Sequence, residues 1–237
     1  MKLTPSGKIV FWGCLWGFGV LILAVLLDPT PENFTLGVSI FLSGLYTWLL
    51  YLTQECWIKR LRRKPMRNAI LLGSLNAAVI EILFLVVEKA FGAAGVAAHP
   101  NLLVDLLLTM PWYIGIVWIF VKIQSRQPYP NSMVLLLGAL YELGGDGIIG
   151  GILLPSLMGA PPDLLEFLIL IPLAVFWQFI PVYSSIVLAP AWVLRAGLDV
   201  DRPDNPRVRA GFLPLLWMAP YLAYIISALL AIDSWGL

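Results

Sequence analysis

Residues 9–27 read IVFWGCLWGFGVLILAVLL, a run of 19 residues without a charge. At about 1.5 Å of rise per residue, a helix of roughly 20 residues crosses the hydrocarbon core of a bilayer. The run is too long and too uniformly apolar for the core helix of a soluble domain, which normally has one polar face. It therefore indicates a transmembrane helix.

The whole chain has the same character. Of its 237 residues, 60% are hydrophobic and 12% are charged, and the mean hydropathy is +0.88. Soluble proteins average about 25% charged residues. The composition therefore predicts an all-α, polytopic integral membrane protein and excludes a soluble globular domain.

Seven apolar runs are long enough to cross a membrane. They cover residues 9–27, 34–53, 69–91, 102–121, 133–157, 164–194 and 212–232. Lipid leaves no partner for a free backbone amide, and the runs lack the alternation of barrel strands, so helices are the state that fits. Clusters of Pro, Asn and Asp separate the runs, as in residues 28–33 and 127–131. We predict seven transmembrane helices in a single transmembrane domain, residues 1–237.

The basic residues predict the orientation. Fourteen of the 15 lysines and arginines lie on one side of the seven runs, and Lys89 alone lies on the other. By the positive-inside rule, the N-terminus is cytoplasmic and the C-terminus is outside, in what we expect to be the plasma membrane. The first run lacks a small-x-small cleavage site, so we interpret it as a retained helix rather than a signal peptide.

The sequence lacks the usual motifs of several chemistries. The chain has two cysteines, Cys14 and Cys56, and one histidine, His99, too few for the ligand sets of histidine-bound zinc or haem. No CxxC, phosphate-binding loop or GxSxG motif is present. The basic loop at residues 59–67 could bind anionic lipid or nucleic acid, but topology explains it. We expect no cofactor, no metal and no nucleic-acid partner.

The informative residues are acids within the apolar runs. Glu81 lies near the middle of the third run, and Glu142 and Asp146 lie in the fifth. A charged carboxylate at the bilayer centre costs about 2.5–3.5 kcal/mol on insertion scales, so these three should point inward. Four further acids lie nearer the outer ends of the runs: Glu88, Asp105, Asp163 and Glu166.

Helical spacing indicates which side chains share a face. Residues three, four or seven positions apart lie on one side of a helix, so Glu81 and Glu88 share a stripe, as do Glu142 and Asp146. We expect such stripes to converge on a cavity in the outer half of the bilayer. The predicted substrate-binding residues on these faces are Asp105, Trp112, Trp177, Trp217 and Tyr221.

Two segments have unusual composition. Residues 144–151 contain five glycines, which either allow close helix packing or break the helix beside a cavity. The sixth run contains Pro172, Pro181 and Pro190, which predict a kinked, tilted or partly re-entrant helix.

Each candidate also has a purely structural interpretation. Asp163 and Glu166 follow two prolines and suit the first turn of a helix, where its dipole stabilises carboxylates. Glu88 and Asp105 suit the interface with water. The tryptophans suit core packing or the aromatic belt. Glu81, Glu142 and Asp146 are too deep for these explanations.

These observations leave three hypotheses for function. In the first, the chain is an intramembrane, metal-independent isomerase, cyclase or hydratase of an isoprenoid or other lipid, with Glu142 or Asp146 donating a proton and Glu81 accepting one. In the second, the same acids serve a proton- or cation-coupled transporter or channel. In the third, the chain is a structural subunit of a membrane complex. We expect the partners of the chain to be membrane lipids and a lipophilic small-molecule substrate.

Two short segments resemble known enzymes. Asn76-Ala-Ala-Val-Ile-Glu81 is similar to the Asn-then-Glu helix motif of small integral-membrane terpene cyclases, and Pro162-Asp-Leu-Leu-Glu166-Phe167 is similar to part of the lycopene cyclase domain. The first motif is one residue longer here and lies in the third helix rather than the second, and the second motif is incomplete. The resemblance is an analogy, and it implies acid chemistry on an isoprenoid.

Overall fold

The computed structural model describes residues 4–157, 159, 169–170, 174–198 and 208–235, with the backbone alone for 233–235. In this part of the chain all regular structure is helical, and seven helices are long and apolar enough to span a membrane. The predicted all-α fold with seven membrane-spanning helices is confirmed. The described α-helices are α1 (Pro5–Leu27), α2 (Pro31–Leu52), α3 (Gln54–Leu61), α4 (Pro65–Phe91), α5 (Leu102–Gln124), α6 (Asn131–Glu142), α7 (Leu154–Leu157), α8 (Phe176–Gly197) and α9 (Met218–Trp235).

The first helices begin at Thr-Pro pairs. Thr4 and Thr30 are the N-cap residues of α1 and α2, and each hydroxyl oxygen accepts a backbone N–H of the first turn. Proline at the first helical position costs nothing, because that residue has no helical partner for an N–H. Both helices therefore start four and three residues earlier than the apolar runs at 9–27 and 34–53 indicate.

The loop between α4 and α5 lies at one end of the bundle. Helix α4 ends at Gly92, whose φ of 68° is in the left-handed region that favours glycine. Helix α5 begins after Asn101, whose side chain accepts the N–H groups of Leu103 and Val104. This end of the bundle is the one predicted to face away from the cytoplasm.

The fifth span changes helix type in its middle. Helix α6 continues as a π-helical segment, Leu143–Leu153, and then as α7, so residues 131–157 form one continuous helix. The glycine-rich sequence therefore widens the helix and does not break it. A π-helix pairs residue i with i+5, and such segments often occur at functional sites.

Helix α8 is the centre of the bundle. It contacts α1, α2, α4, α5 and α6, and 83% of its span is buried. It remains helical through Pro181 and Pro190, so residues 176–197 are not re-entrant. Pro172 and much of the predicted range 164–194 before residue 174 lie outside the described residues.

The last span is peripheral. It begins as a 3-10 helix, Val208–Trp217, which packs on α5, and continues as α9. Only 11% of this span is buried, and only 22% of α1 is buried, so both helices present most of their surface outward. The buried site described below lies between α4, α5, α6 and α8.

Candidate functional site

The first part of the site joins α4 to α5. The hydroxyl of Tyr113 donates a hydrogen bond to Oε1 of Glu81. Both side chains are buried, with 3% and 9% of their surface exposed. Asp105 lies in the first turn of α5 and is fully buried. Its side chain is within hydrogen-bonding reach of the Glu81 side chain. Glu81 therefore has a phenol on one side and a second carboxyl group on the other.

The second part joins α6 to α8. Glu142 is 3% exposed, and it lies within side-chain hydrogen-bonding reach of Tyr183 and Asp146. Within the described part of the chain, Oε2 of Glu142 has no hydrogen-bond partner. Two ionised carboxylates have no proton to donate, so a hydrogen bond between Glu142 and Asp146 requires a proton on one of them.

The two parts face each other through their tyrosines. The rings of Tyr113 and Tyr183 are 5.5 Å apart between centroids, at 40° to each other. Glu81 and Glu142 also interact electrostatically across this contact. The structure therefore brings together the three predicted catalytic acids, Glu81, Glu142 and Asp146. We call these three residues and Asp105 the acid cluster.

Asp146 is the accessible member of the acid cluster. Its side chain is exposed, unlike those of the other three acids. It nevertheless lies close enough to Glu81, Asp105 and Glu142 to interact with them electrostatically. Asp146 is therefore the acid of the cluster with the most surface open to contact with another molecule.

Glycine brings a tryptophan against the π-helical segment. A Cβ atom at Gly145 would lie 2.6 Å from Nε1 of Trp112, so only glycine fits there. A Cβ atom at Gly144 would lie 2.9 Å from Cδ2 of Leu215. These contacts support the close-packing interpretation of the glycine-rich sequence.

Two of the predicted aromatic residues line the acid cluster. The ring of Trp112 lies 5.3 Å from that of Tyr221 between centroids, and Nε1 of Trp112 donates to the Tyr183 hydroxyl at 2.8 Å. Tyr221 interacts electrostatically with Asp146 and Glu81. Its hydroxyl donates to the Leu108 carbonyl oxygen at 3.2 Å, which fixes the last span against α5.

Trp217 lies further along the same interface. Its Nε1 donates to the carbonyl oxygen of Pro111 at 3.0 Å, and its ring packs on Gly115. Pro111 has no N–H, so the helix leaves the Leu107 carbonyl oxygen without its usual donor. The hydroxyl of Tyr224 fills that role at 2.7 Å. These contacts attach the last span to α5, and no contact of Trp217 with an acid is seen in the described residues.

Trp177 lies at a different interface. Its ring packs on Gly13, and its backbone packs on Gly17, both in α1. The structure therefore does not bring Trp177 together with the acid cluster. Asp163 and Glu166 lie outside the described residues.

The hydrogen-bond partners of Glu88 and Asn76 lie outside the acid cluster. Oε2 of Glu88 accepts the N–H of Ala97 in the loop between α4 and α5. Asn76 accepts a hydrogen bond from Tyr46 at 2.9 Å and donates to the carbonyl oxygen of Ser185 at 2.8 Å. Asn76 and Glu81, the ends of the segment that resembles a cyclase motif, therefore point to different neighbours.

Tyr113 and Tyr183 were not among the residues predicted from the sequence. Both are buried tyrosines in the middle of a span, where a hydroxyl group needs a hydrogen-bond partner. That requirement was the available signal, since the deep acids were among the acceptors that such hydroxyl groups could reach. For the part of the chain that is described, no three His, Cys, Asp or Glu side chains are arranged to hold a metal ion.

Comparison with known proteins gives no relative. No protein family, curated protein or solved structure matches this chain.

Proposed function

We propose that the chain is an intramembrane enzyme that transfers protons to and from a lipophilic substrate. The observation that carries the proposal is the pair of carboxyl–tyrosine contacts, Glu81 with Tyr113 and Glu142 with Tyr183, on opposite sides of the Tyr113–Tyr183 ring contact. A donor and an acceptor of protons on facing helices are what a proton-shifting reaction needs. The accessible carboxyl group of Asp146 lies beside them.

The roles follow from the hydrogen bonds. Glu142 and Asp146 share a proton, and Asp146, the accessible member, delivers it to a carbon–carbon double bond of the substrate. One O–H bond breaks and one C–H bond forms, which leaves a carbocation. Glu81, whose Oε1 already accepts a hydrogen bond from Tyr113, takes a proton from a neighbouring carbon, and the double bond re-forms in a new position. Isomerisation of an isoprenoid-like chain has this balance. Ring closure has it too when a second double bond of the chain attacks the carbocation and forms a C–C bond before Glu81 takes the proton.

The surroundings suit a cationic intermediate. The faces of aromatic rings attract positive charge, and Trp112 and Tyr221 lie beside the acids. The lysines and arginines of the sequence lie outside the middle of the spans, so the cluster is acidic overall. A neutral hydrocarbon chain fits such a site better than an anionic head group, which four carboxyl groups would repel.

The carboxyl groups also support a second candidate, a proton- or cation-coupled transporter. They lie at several depths, from Glu88 and Asp105 at one end of the bundle to Glu142 at its middle. Flux of protons across proteoliposome membranes that disappears in Glu142→Gln, with no chemical change in any lipid, would favour this candidate.

The proposed enzyme is tested by the lipid-soluble metabolites of the source organism. Cells carrying Glu142→Gln are compared by mass spectrometry with wild-type cells at equal protein level, and Glu55→Gln, an exposed acid of α3, is the control. The proposal expects a precursor that accumulates in Glu142→Gln alone. Identical profiles would contradict a role for Glu142 in any pathway active in those cells.

A further inference from the structure

We propose that Asp105 carries protons between Glu81 and the aqueous surface at the end of the bundle where α4 meets α5. The inference rests on the proposed function, because an acid–base site in the middle of a bilayer must restore its protons between turnovers. It assigns Asp105 a relay role in place of the substrate contact that its sequence position predicts.

Asp105 has neighbours in both directions. Towards the surface, Oδ1 accepts the backbone N–H of His99 at 3.2 Å, and the backbone N–H of Ala98 also lies close to the carboxyl group. Towards the middle of the bilayer, the carboxyl group is within hydrogen-bonding reach of Glu81. Asp105 is the fourth residue of α5, eight residues and therefore about 12 Å along the helix axis before Tyr113, the other partner of Glu81.

The second oxygen of Asp105 is the group free for proton transfer. Oδ2 is buried, and it accepts no hydrogen bond from any N–H or O–H group in the described residues. A buried carboxyl oxygen without such a donor is costly unless it carries or shares a proton. Sharing with Glu81 satisfies it, since two carboxyl groups attract each other when one of them is protonated.

The exposed loop of residues 92–101 lies between Asp105 and the aqueous surface. Most of its residues are exposed or half-buried, and Gly92 and Gly95 have positive φ angles of 68° and 80°. The loop is held by two carboxylates, because Ala97 donates its N–H to Glu88 and His99 donates its N–H to Asp105. Asp105 therefore lies directly below an exposed loop, and Glu81 lies below Asp105.

The transfer steps balance without another reactant. A proton on Asp105 leaves to water at the loop, and the proton that Glu81 has taken from the substrate moves to Asp105. Each step breaks one O–H bond and forms another, and no electrons are exchanged.

The test follows exchange of the Glu81 proton with D₂O. Full-length protein in lipid nanodiscs is moved from H₂O to D₂O, and the infrared carboxyl band that Glu81→Gln removes is followed with time. Asp105→Asn keeps an oxygen that accepts the His99 N–H but cannot relay a proton. We expect this variant to slow exchange about 100-fold, the lower end of the contribution of a positioned proton-transfer group.

Glu88→Gln is the matched control. It also keeps an acceptor for the loop, at Ala97, and removes an ionisable group at the same end of the bundle. We expect it to exchange at the wild-type rate. Equal slowing in both variants, wild-type exchange in Asp105→Asn, or absence of a Glu81 band in the wild type would each overturn the relay.

The readout is independent of catalysis. If exchange depends on Asp105 but no lipid is ever transformed, then the relay holds and the proposed enzyme activity fails. If lipid is transformed and the exchange rate is the same in Asp105→Asn as in the wild type, then the enzyme activity holds and the relay fails.

Discussion

The hydroxyl of Tyr183 has its direction set by Trp112. Because the indole N–H donates to the Tyr183 oxygen, the Tyr183 proton must point to a different acceptor, and Glu142 is within reach. The indole thus acts on Glu142 through Tyr183, without touching the acid. Trp112 is a positioning residue as well as an aromatic wall.

Trp112→Phe should separate these two roles. Phenylalanine keeps a ring against Gly145 and Tyr221 but loses the hydrogen bond, which is worth about 1 kcal/mol or roughly a fivefold change in rate. We expect proton incorporation into substrate to slow by about this factor. Tyr183→Phe should also slow proton incorporation. The double variant should be no slower than Tyr183→Phe alone, because Trp112 acts on Glu142 only through the Tyr183 hydroxyl that this change removes.

Trp118→Phe provides the control in the same helix. Trp118 is 46% exposed and lies under Lys122, away from the acids. Its replacement should leave the rate unchanged. Additive effects of Trp112→Phe and Tyr183→Phe would contradict the positioning role.

Single residues show what the sequence could and could not predict. The inward orientation of Glu81 and Glu142 followed from their place in the apolar runs, because lipid excludes charge, whereas the side chain of Asp146 is exposed. Trp177 shows the limit: helical spacing gives the face of a helix but not the neighbour it meets. Trp177 faces α1, where Gly13 leaves room for its ring.

The π-helical segment is the element that shapes the site. Its wider turn places Glu142 at its start and Asp146 within it, and it turns Gly145 towards Trp112. A spacing of i and i+4 was the basis for pairing Glu142 with Asp146, and the pair does form. The sequence shows the five glycines but not the change of helix type, which a 3.6-residue period cannot foresee.

Gly145→Ala tests this packing. The added methyl group would lie 2.6 Å from Nε1 of Trp112, so either Trp112 or the segment must shift. Overpacking of this kind costs about 1–3 kcal/mol, and we expect a lower unfolding temperature in detergent and slower catalysis.

Gly150→Ala is the control within the same segment. Its new methyl group would have its nearest neighbour, the Gly145 carbonyl oxygen, 3.8 Å away. This variant should unfold at the wild-type temperature or slightly above it. Equal destabilisation by both alanines would show that the segment tolerates a side chain at neither position, and that contact with Trp112 does not decide the effect.

The molecule as a whole is a bundle around α8 with α1 and the last span at its edge. Apolar length predicted the spans well, and the structure extends α1, α2 and α4 at their N-termini because Pro5, Pro31 and Pro65 start them. The 14-to-1 distribution of basic residues predicts the orientation of the bundle in the membrane.

Labelling of cysteines tests the orientation. Cys56 is exposed and lies at the end of the bundle with the basic loops. In intact cells, a membrane-impermeant maleimide should leave Cys56 unlabelled and should label His99→Cys in a Cys56→Ser background. Permeabilised cells should show labelling at both positions. Labelling of Cys56 in intact cells would reverse the predicted orientation.

Deuterium incorporation tests the catalytic role of the acid cluster most directly. Wild-type protein and Glu142→Gln are reconstituted with a lipophilic extract of the source membranes in D₂O, and the lipids are analysed by mass spectrometry. We predict a lipid that gains deuterium with the wild type and at least ~100 times more slowly with Glu142→Gln, because general acid catalysis contributes about that much or more. Equal incorporation by both proteins, or none by the wild type, would contradict proton transfer from this site.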